Sequence, residues 1–242
     1  MPDTRRHRGA HPADERLFSE NQLPGLRAAV FELSWLFSRG YASPSALKLV
    51  GDRHRLNTRQ RLALARAACS DRDVETRKAA CLAVEAMTGK HLVVDGFNLL
   101  ITIEAALSGG ILLLCRDGCI RDLASVHGSY RSVEETRHAV NLIGEVFDTL
   151  TPLSVKWVFD KPVSNSGKIA GLIRDIAATC AWPWTAEVVF NPDTVISLSP
   201  DIVLTSDSSI LDRVAQWVNF SLYLIEHYLP QAWIVDLRGA AM

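Results

Sequence analysis

The sequence predicts an α/β protein, in which a mainly parallel sheet flanked by helices is preceded by a small all-helical domain. Helical periodicity predominates between residues 23 and 90. From His91 onward, short apolar runs rich in β-branched residues alternate with helical stretches, and three of these runs end in aspartate. Strands that alternate with helices are typical of a parallel sheet whose faces are covered by helices.

The composition is that of a folded chain. Of its 242 residues, 48% are hydrophobic and 22% are charged, which is enough to build a core and its surface. The apolar runs are shorter than the roughly 20 residues of a spanning helix, so we expect no membrane segment. The basic start is not followed by an apolar run, which predicts no secretory signal and a cytoplasmic location.

The five cysteines are scattered and odd in number, which predicts no disulfide framework. Cys115 and Cys119 have the spacing of half a zinc site, but a second pair of Cys or His at zinc spacing is missing from the sequence. We therefore expect no zinc site.

Charge is divided unevenly along the chain. Residues 1–90 carry 16 Lys and Arg against 10 Asp and Glu, whereas residues 91–242 carry 10 against 17. This asymmetry is consistent with a basic binding module beside an acidic one, and equally with an ordinary solvated surface. A homo-oligomer is compatible with the sequence.

Three segments follow from these patterns. We expect a flexible arm over residues 1–22, a basic helical domain over 23–90 and an α/β domain over 91–242. The predicted helices of the second segment run from Leu26 to Phe37, from Ser43 to Gly51, from an Asn57–Gln60 capping box to Ala68, and from Asp71 to a point before Gly89.

Asp95, Asp160 and Asp207 end three of the predicted strands. The carboxyl ends of parallel strands meet at one edge of a sheet, so we expect these side chains to converge. Clustered carboxylates repel one another unless a cation binds or their pKa values rise. Oxygen ligands suit Mg²⁺ or Mn²⁺, and such a site supports phosphoryl transfer or phosphodiester hydrolysis. The alternative is that these aspartates only cap helices at strand-to-helix turns.

Several of these motifs resemble the NYN branch of the PIN-like nucleases. Val93–Leu100, with Asp95 and Asn98, resembles that branch's first-strand motif, Phe159-Asp160 its second acidic strand end, and Thr205–Asp212 its later acidic turn and helix. The resemblance implies a PIN/NYN-like fold, with Asp95, Asp160, Asp207 and Asp212 as metal ligands and Asn98 ordering the site. Residues 36–41 and 49–53 resemble the N-terminal domain of a little-characterised family of unknown function.

A further acid is common in PIN domains, and its position here is open. The candidates besides Asp212 are Glu104, Glu134 and Glu135. Glu135 also completes a capping box with Ser132, which would explain it without catalysis.

The sequence lacks the motifs of other enzymes with a similar α/β architecture. Asp95-Gly96-Phe97-Asn98 does not supply the Asp-x-Asp of haloacid-dehalogenase phosphatases and Toprim domains. The chain also lacks a dinucleotide-binding glycine motif after the first strand and a P-loop.

Two loops are candidates for substrate contact. The first opens a helix with backbone N–H groups suited to a phosphate, and its candidates are Ser164, Asn165, Ser166 and Lys168. The second spans residues 117–131 without a clear period. There Arg121 and Arg131 are candidates for phosphate binding, Tyr130 for base stacking and His127 for proton transfer.

A cluster of arginines in the helical domain could follow a phosphate backbone. Its members are Arg53, Arg55, Arg59, Arg61 and Arg66. The sequence therefore favours a metal-dependent nuclease that uses Mg²⁺ or Mn²⁺, with RNA preferred over DNA on the resemblance alone. The alternative is a non-catalytic PIN-like module that binds nucleic acid or protein.

Overall fold

The computed structural model describes residues 7–124 and 130–239. Its N-terminal part is helical, as expected, and the Asn57–Gln60 capping box is present. A second capping box joins Ser70 to Asp73. The helices are α1 (Asp14–Leu17), α2 (Leu23–Ser38), α3 (Ser43–Arg53), α4 (Thr58–Ala67) and α5 (Asp71–Ala80), and a 3₁₀ helix follows at Val84–Met87.

Residues 7–22 pack against the rest of the chain. Leu17 and Phe18 are buried in a core with α2 and α4, and the buried Arg8 forms an ion pair with Glu104. The expectation of a flexible arm is therefore wrong for residues 7–22, because these contacts lie far along the chain and no local pattern reveals them.

The main sheet is parallel throughout and has six strands. Its spatial order is β1-β8-β7-β2-β5-β6. The four strands expected from the sequence are confirmed at its centre and at the β6 edge. The strands are β1 (Cys81–Leu82), β2 (His91–Asp95), β5 (Ser154–Asp160), β6 (Trp184–Val189), β7 (Ile202–Leu204) and β8 (Trp217–Val218).

Helices cover this sheet, as the alternating pattern predicts. A large apolar core joins α6 and α7 to β2 and β5, with Trp157 and Phe147 fully or almost fully buried. The helices are α6 (Gly96–Leu107), α7 (Thr136–Leu150), α8 (Ser166–Cys180), α9 (Pro192–Ser197), α10 (Ser208–Leu211) and α11 (Phe220–Tyr228). None of these described helices, or of those before them, is long and apolar enough to cross a membrane.

A second sheet joins the two parts of the chain. Its strands are β3 (Leu112–Leu114), β4 (Ile120–Asp122) and β9 (Ile234–Asp236), with β3 antiparallel to β4 and parallel to β9. Leu113 and Val235 share a core with Leu33 of α2 and Leu64 of α4. The helical part therefore does not have a core of its own, and β1, which lies before residue 91, completes the main sheet.

The segment expected to be irregular over residues 117–131 is partly a strand. Ile120–Asp122 forms β4, and residues 125–129 lie outside the described residues. The next helix begins at Thr136, not at Ser132, and the hydroxyl of Thr136 accepts the backbone N–H of Val133 at 2.9 Å. The capping box predicted for Ser132 and Glu135 is wrong, because Thr136 supplies this local hydrogen bond instead.

Gly96 is the first residue of α6 and touches the core. A Cβ atom there would lie 2.4 Å from the ring of Phe159. We expect Gly96→Ala to lower the free energy of unfolding by about 1–3 kcal/mol, because the buried ring cannot move aside freely. Urea denaturation measures this change.

Gly171 in α8 provides the matched control. A Cβ atom at Gly171 would meet nothing within 4 Å. Gly171→Ala should therefore stabilise the protein by about 0.5–1 kcal/mol, since alanine favours a helix interior. Equal effects of the two substitutions would contradict the packing described around Gly96.

Candidate functional site

Three neighbouring strands of the parallel sheet carry aspartates to its carboxyl edge. Asp95 ends β2 and Asp160 ends β5, its neighbour on one side. Asp207 follows β7, the neighbour of β2 on the other side. The expected gathering of these three residues at the carboxyl edge agrees with the strand order.

Asp95 is held in place by groups from two elements. It caps the start of α6, where the backbone N–H of Asn98 lies 3.5 Å from its Oδ1. The Thr205 hydroxyl donates to its Oδ2 at 2.8 Å. The carboxylate is thus oriented from both sides, and the alternative role of a helix cap also applies to it.

Asn98 locks the turn that carries Asp207. Its side-chain oxygen accepts the backbone N–H of Ser206 at 2.8 Å and the Ser206 hydroxyl at 3.0 Å. The backbone N–H of Asp207 in turn donates to Thr205 Oγ1 at 3.0 Å. Asn98 therefore connects the start of α6 to the turn that follows β7.

The electrostatics of this edge are unfavourable for the ionised acids. Burial raises the pKa of Asp95 to about 7, and repulsion from Asp207 and Asp193 adds to it, although the hydrogen bond from Thr205 works in the opposite direction. Burial and the charge of Asp193 also raise the pKa of Asp160. The negative charges at this edge are therefore not fully compensated by positive groups of the protein.

Asp193 is the member of this group that the sequence reasoning missed. It lies in the first turn of α9, just beyond the carboxyl end of β6, which is the neighbour of β5. It acts electrostatically on both Asp95 and Asp160. The signal in the sequence is Asn191-Pro192-Asp193, which begins two residues after the end of β6 and so places the acid beyond the strand itself.

The donor set fits a hard divalent cation that keeps part of its water shell. The nearby acids offer oxygen only, and their mutual repulsion would be relieved by positive charge. Among residues 7–124 and 130–239, however, no three His, Cys, Asp or Glu side chains stand in a preformed metal-binding group. Mg²⁺ is usually bound through one or two carboxylates plus waters, so a ready cage is not required.

Asp212 and Arg121 belong to a different cluster. Arg77 pairs with both Asp212 and the buried Asp117, and Arg121 donates two hydrogen bonds to Asp117 and one to the carbonyl of Ser206. The metal-ligand role for Asp212 and the phosphate role for Arg121 are not supported by this geometry, because both charges are already compensated within the fold. Arg121 is only 7% exposed.

Glu104 and Tyr130 lie in a buried polar group. The Tyr130 hydroxyl donates to Glu104 Oε1 at 2.6 Å, and Arg8 and Thr136 also hydrogen-bond this carboxylate. Tyr130 is fully buried, so base stacking by Tyr130 is wrong. Glu104 is wholly enclosed by these partners, which excludes it as a free fourth ligand in this conformation.

Glu134 and Glu135 face another part of the chain. Nδ1 of His7 lies 2.7 Å from Glu135 Oε1, and its Nε2 lies 3.8 Å from Glu134. Both acids are thus engaged by His7, and neither is among the groups that shift the pKa of Asp95. Arg131 is exposed, and its carbonyl accepts a hydrogen bond from Arg8. His127 lies outside the described residues.

The loop after Asp160 is only partly open. Ser164 and Lys168 are exposed, as expected for substrate contact. Asn165 donates to the carbonyl of Tyr130 at 2.7 Å, and Ser166 is buried with its hydroxyl on the carbonyl of Asp160 at 2.6 Å. Ser166 therefore fixes the loop and is not available to a ligand.

Most of the arginine cluster is paired with acids. Arg59 forms an ion pair with the buried Asp14, and Arg61 with Asp52. Arg66 pairs with Asp122 of β4, while Arg53 lies 3.4 Å from Glu32. Arg53 and Arg55 are exposed. A continuous phosphate-binding surface of all five residues is not what the structure forms, because neighbouring acids neutralise Arg59, Arg61 and Arg66.

The pKa of Asp95 leads to a prediction for stability in the presence of chelator. In the folded protein Asp95 keeps its proton up to pH about 7. The unfolded chain releases this proton near pH 4, so wild-type stability falls as the pH rises between these values. Asp95→Asn removes this loss, and the variant should gain stability relative to wild type over that window. Urea unfolding from about pH 4 to about pH 8 tests it.

Asp52 offers a control of opposite sign. Hydrogen bonds from Lys48 and Arg61 lower the pKa of this exposed carboxyl. Asp52→Asn should therefore be less stable than wild type from about pH 4 to about pH 8, by an amount that stays nearly constant, because the benefit of the lowered pKa is complete once the pH exceeds the usual pKa of an aspartate. A stability difference for Asp95→Asn that does not change with pH would contradict the environment described for Asp95.

The fold and its acidic edge define a class, an α/β protein with a parallel sheet and an N-terminal helical part that shares its core. The chain matches the family model described as Domain of unknown function (DUF5616) over residues 84–223, and that described as Protein of unknown function (DUF434) over residues 25–79. The first match covers more than half of the chain, so the chain belongs to the DUF5616 family. Neither matching model is a PIN or NYN model.

A relative extends across both parts of the chain. The chain is 31% identical over 180 residues to the Uncharacterized protein MJ0935 of Methanocaldococcus jannaschii, which covers 74% of this chain and 86% of the relative. No solved structure matches the chain. The 180 matched residues outnumber residues 91–242, so the match also reaches into the helical part of the chain.

Proposed function

We propose that the protein is a metal-dependent nuclease that hydrolyses phosphodiesters at the edge formed by Asp95, Asp160 and Asp207, with RNA preferred over DNA. The observation that carries the proposal is the arrival of these carboxylates, with Asp193, at one edge of a parallel sheet, where their charge is unbalanced. Ligands of open α/β sheets bind at this edge. The resemblance to the NYN branch of the PIN-like nucleases supports the same chemistry.

Each residue has a separate part in the proposed reaction. Asp95 is the central ligand, held by Thr205, and Asp160 and Asp207 flank it on the two neighbouring strands. Asn98 positions Asp207 through its hydrogen bonds to Ser206. Bound Mg²⁺ or Mn²⁺ would supply an activated water and would neutralise charge that develops on the phosphate.

The donor chemistry also sets the expected pH dependence. Asp95 binds a cation only when ionised, and without a cation its pKa is about 7. Metal loading should therefore improve as the pH rises toward and above neutrality, since protons and the cation compete for the same oxygens.

Cleavage of a labelled single-stranded RNA by the wild-type chain tests the proposal. We expect cleavage with Mn²⁺ and none with chelator, and slower cleavage of a DNA of matching sequence. Cleavage that survives chelation, or none of either nucleic acid with Mn²⁺ or Mg²⁺, would overturn the proposal.

A second candidate is a module that binds nucleic acid or protein without catalysis. It is favoured by the lack of a preformed three-ligand group among the described side chains. Binding of RNA without cleavage in the same assay would support it.

A further inference from the structure

An exposed aromatic ring lies beside the acidic edge. Phe190 follows β6, and this residue is 64% exposed. Lys161 follows the neighbouring strand β5, and its Nζ lies 4.4 Å from the centre of the Phe190 ring. A single exposed aromatic residue is ordinary on a protein surface. The contact of Phe190 with Lys161 buries neither residue in the core, so the stability of the fold does not account for it.

The backbone holds both residues in place. The ladder between β5 and β6 extends to Asp160 opposite Val189, and the backbone N–H of Lys161 donates to the carbonyl of Val189 at 2.9 Å. Lys161 and Phe190 are therefore carried by the sheet itself, one residue beyond its last pair. The backbone of both residues is therefore already ordered, and a ligand would restrict only their side chains.

The pair adjoins the proposed reaction centre. Asp160 directly precedes Lys161, and Asp193, which acts on Asp160, lies three residues after Phe190. A substrate that reaches the carboxylates across this side of the sheet would pass over the ring and the ammonium group.

The chemistry of the pair fits a nucleotide. An aromatic face stacks on the face of any nucleobase, and a nearby lysine attracts the adjoining phosphate. Bases of a duplex are already stacked on each other and paired, so their faces are not available without unpairing. Only an unpaired base can use the exposed face of Phe190.

We propose that Phe190 and Lys161 form a stacking platform that makes single-stranded nucleic acid the substrate class of this edge. The proposal deepens the nuclease function and rests on it for the identity of the neighbouring site. Phe190 takes the base nearest the carboxylates, and Lys161 contacts its phosphate.

Fluorescence anisotropy of a labelled single-stranded RNA oligonucleotide tests the platform, with chelator present so that metal-dependent cleavage does not interfere. Phe190→Ala should weaken binding about tenfold or more, because it removes one base stack. Phe190→Trp should restore binding, and Lys161→Ala should weaken binding and reduce its dependence on salt by about one phosphate contact. Leu198→Ala, at a residue that is 79% exposed near the end of α9, is the control and should leave binding unchanged.

The outcomes separate the platform from the nuclease proposal. Unchanged binding by Phe190→Ala, or no binding of the single strand by wild type, overturns the platform. A duplex bound as tightly as the single strand, and equally sensitive to Phe190→Ala, overturns it as well. If the platform binds as expected but wild type never cleaves with Mn²⁺, the nuclease proposal fails and the platform stands.

Discussion

Asp95→Asn should reduce Mn²⁺-dependent cleavage of single-stranded RNA about a thousandfold, because metal ions account for several kcal/mol of barrier lowering in such reactions. The asparagine keeps the size of the side chain, and its amide oxygen can still accept the hydrogen bond from Thr205. The fold should therefore survive while the charge at the centre of the edge is lost. The measurement is the initial rate of cleavage at saturating Mn²⁺, with folding checked by circular dichroism.

Two further variants serve as a comparison and a control for Asp95→Asn. Asn98→Ala should reduce cleavage less than Asp95→Asn, since Asn98 positions the turn at Ser206 and carries no charge. Asp201→Asn changes an acid just before β7, at the opposite end of that strand from Asp207, and should cleave as wild type does. Full activity of Asp95→Asn, or equal losses in Asp95→Asn and Asp201→Asn, would contradict the assigned site.

Arg121→Leu should lower the free energy of unfolding by about 3–5 kcal/mol, the usual effect of removing one partner of a buried ion pair. Burial alone would raise the pKa of Asp117, but Arg121 and Arg77 lower it to about 2, so the carboxyl is charged inside the fold. Without Arg121, Asp117 keeps only Arg77 as an ion-pair partner, with a hydrogen bond from the backbone N–H of Cys119, and the carbonyl of Ser206 loses a donor. Urea denaturation near neutral pH measures the change.

An exposed ion pair provides the comparison for Arg121. Lys48 and Asp52 form a pair whose side chains are 78% and 53% exposed. Lys48→Met should change stability by less than about 1 kcal/mol, because solvent screens exposed charges. A similarly small loss for Arg121→Leu would contradict its structural role and would return it to the candidates for substrate binding.

The parts of the fold and site that the sequence predicts are those that local patterns encode. The strands before Asp95 and Asp160 are short, mainly apolar runs, the second with Lys156 inside it, and parallel topology then brings their ends together. The sequence does not predict Asp193 as a site residue, because Asn191 and Pro192 separate it from the strand and it therefore does not occupy a strand end.

The mistaken assignments share a different cause. Tyr130 and Arg121 are residue types that often contact nucleic acids. In the fold, however, each is buried and bonded to an acidic partner that the sequence pattern does not reveal. Glu104 is 26 residues from Tyr130 and lies on α6, while Asp117 precedes Arg121 by four residues in a segment that gives no helical or strand period. Burial and pairing of this kind depend on the tertiary fold, and a single sequence does not display it.

Anomalous diffraction from a crystal soaked in Mn²⁺ would show whether a cation binds among these aspartates. We expect an anomalous peak at the carboxyl edge of the sheet, with Asp95 and at least one of Asp160, Asp193 and Asp207 within the 2.0–2.6 Å typical of oxygen ligands or joined through water. The same soak of Asp95→Asn should show the peak weakened or gone. A saturating soak that leaves this edge without a peak in the wild-type protein would contradict the proposed cation site.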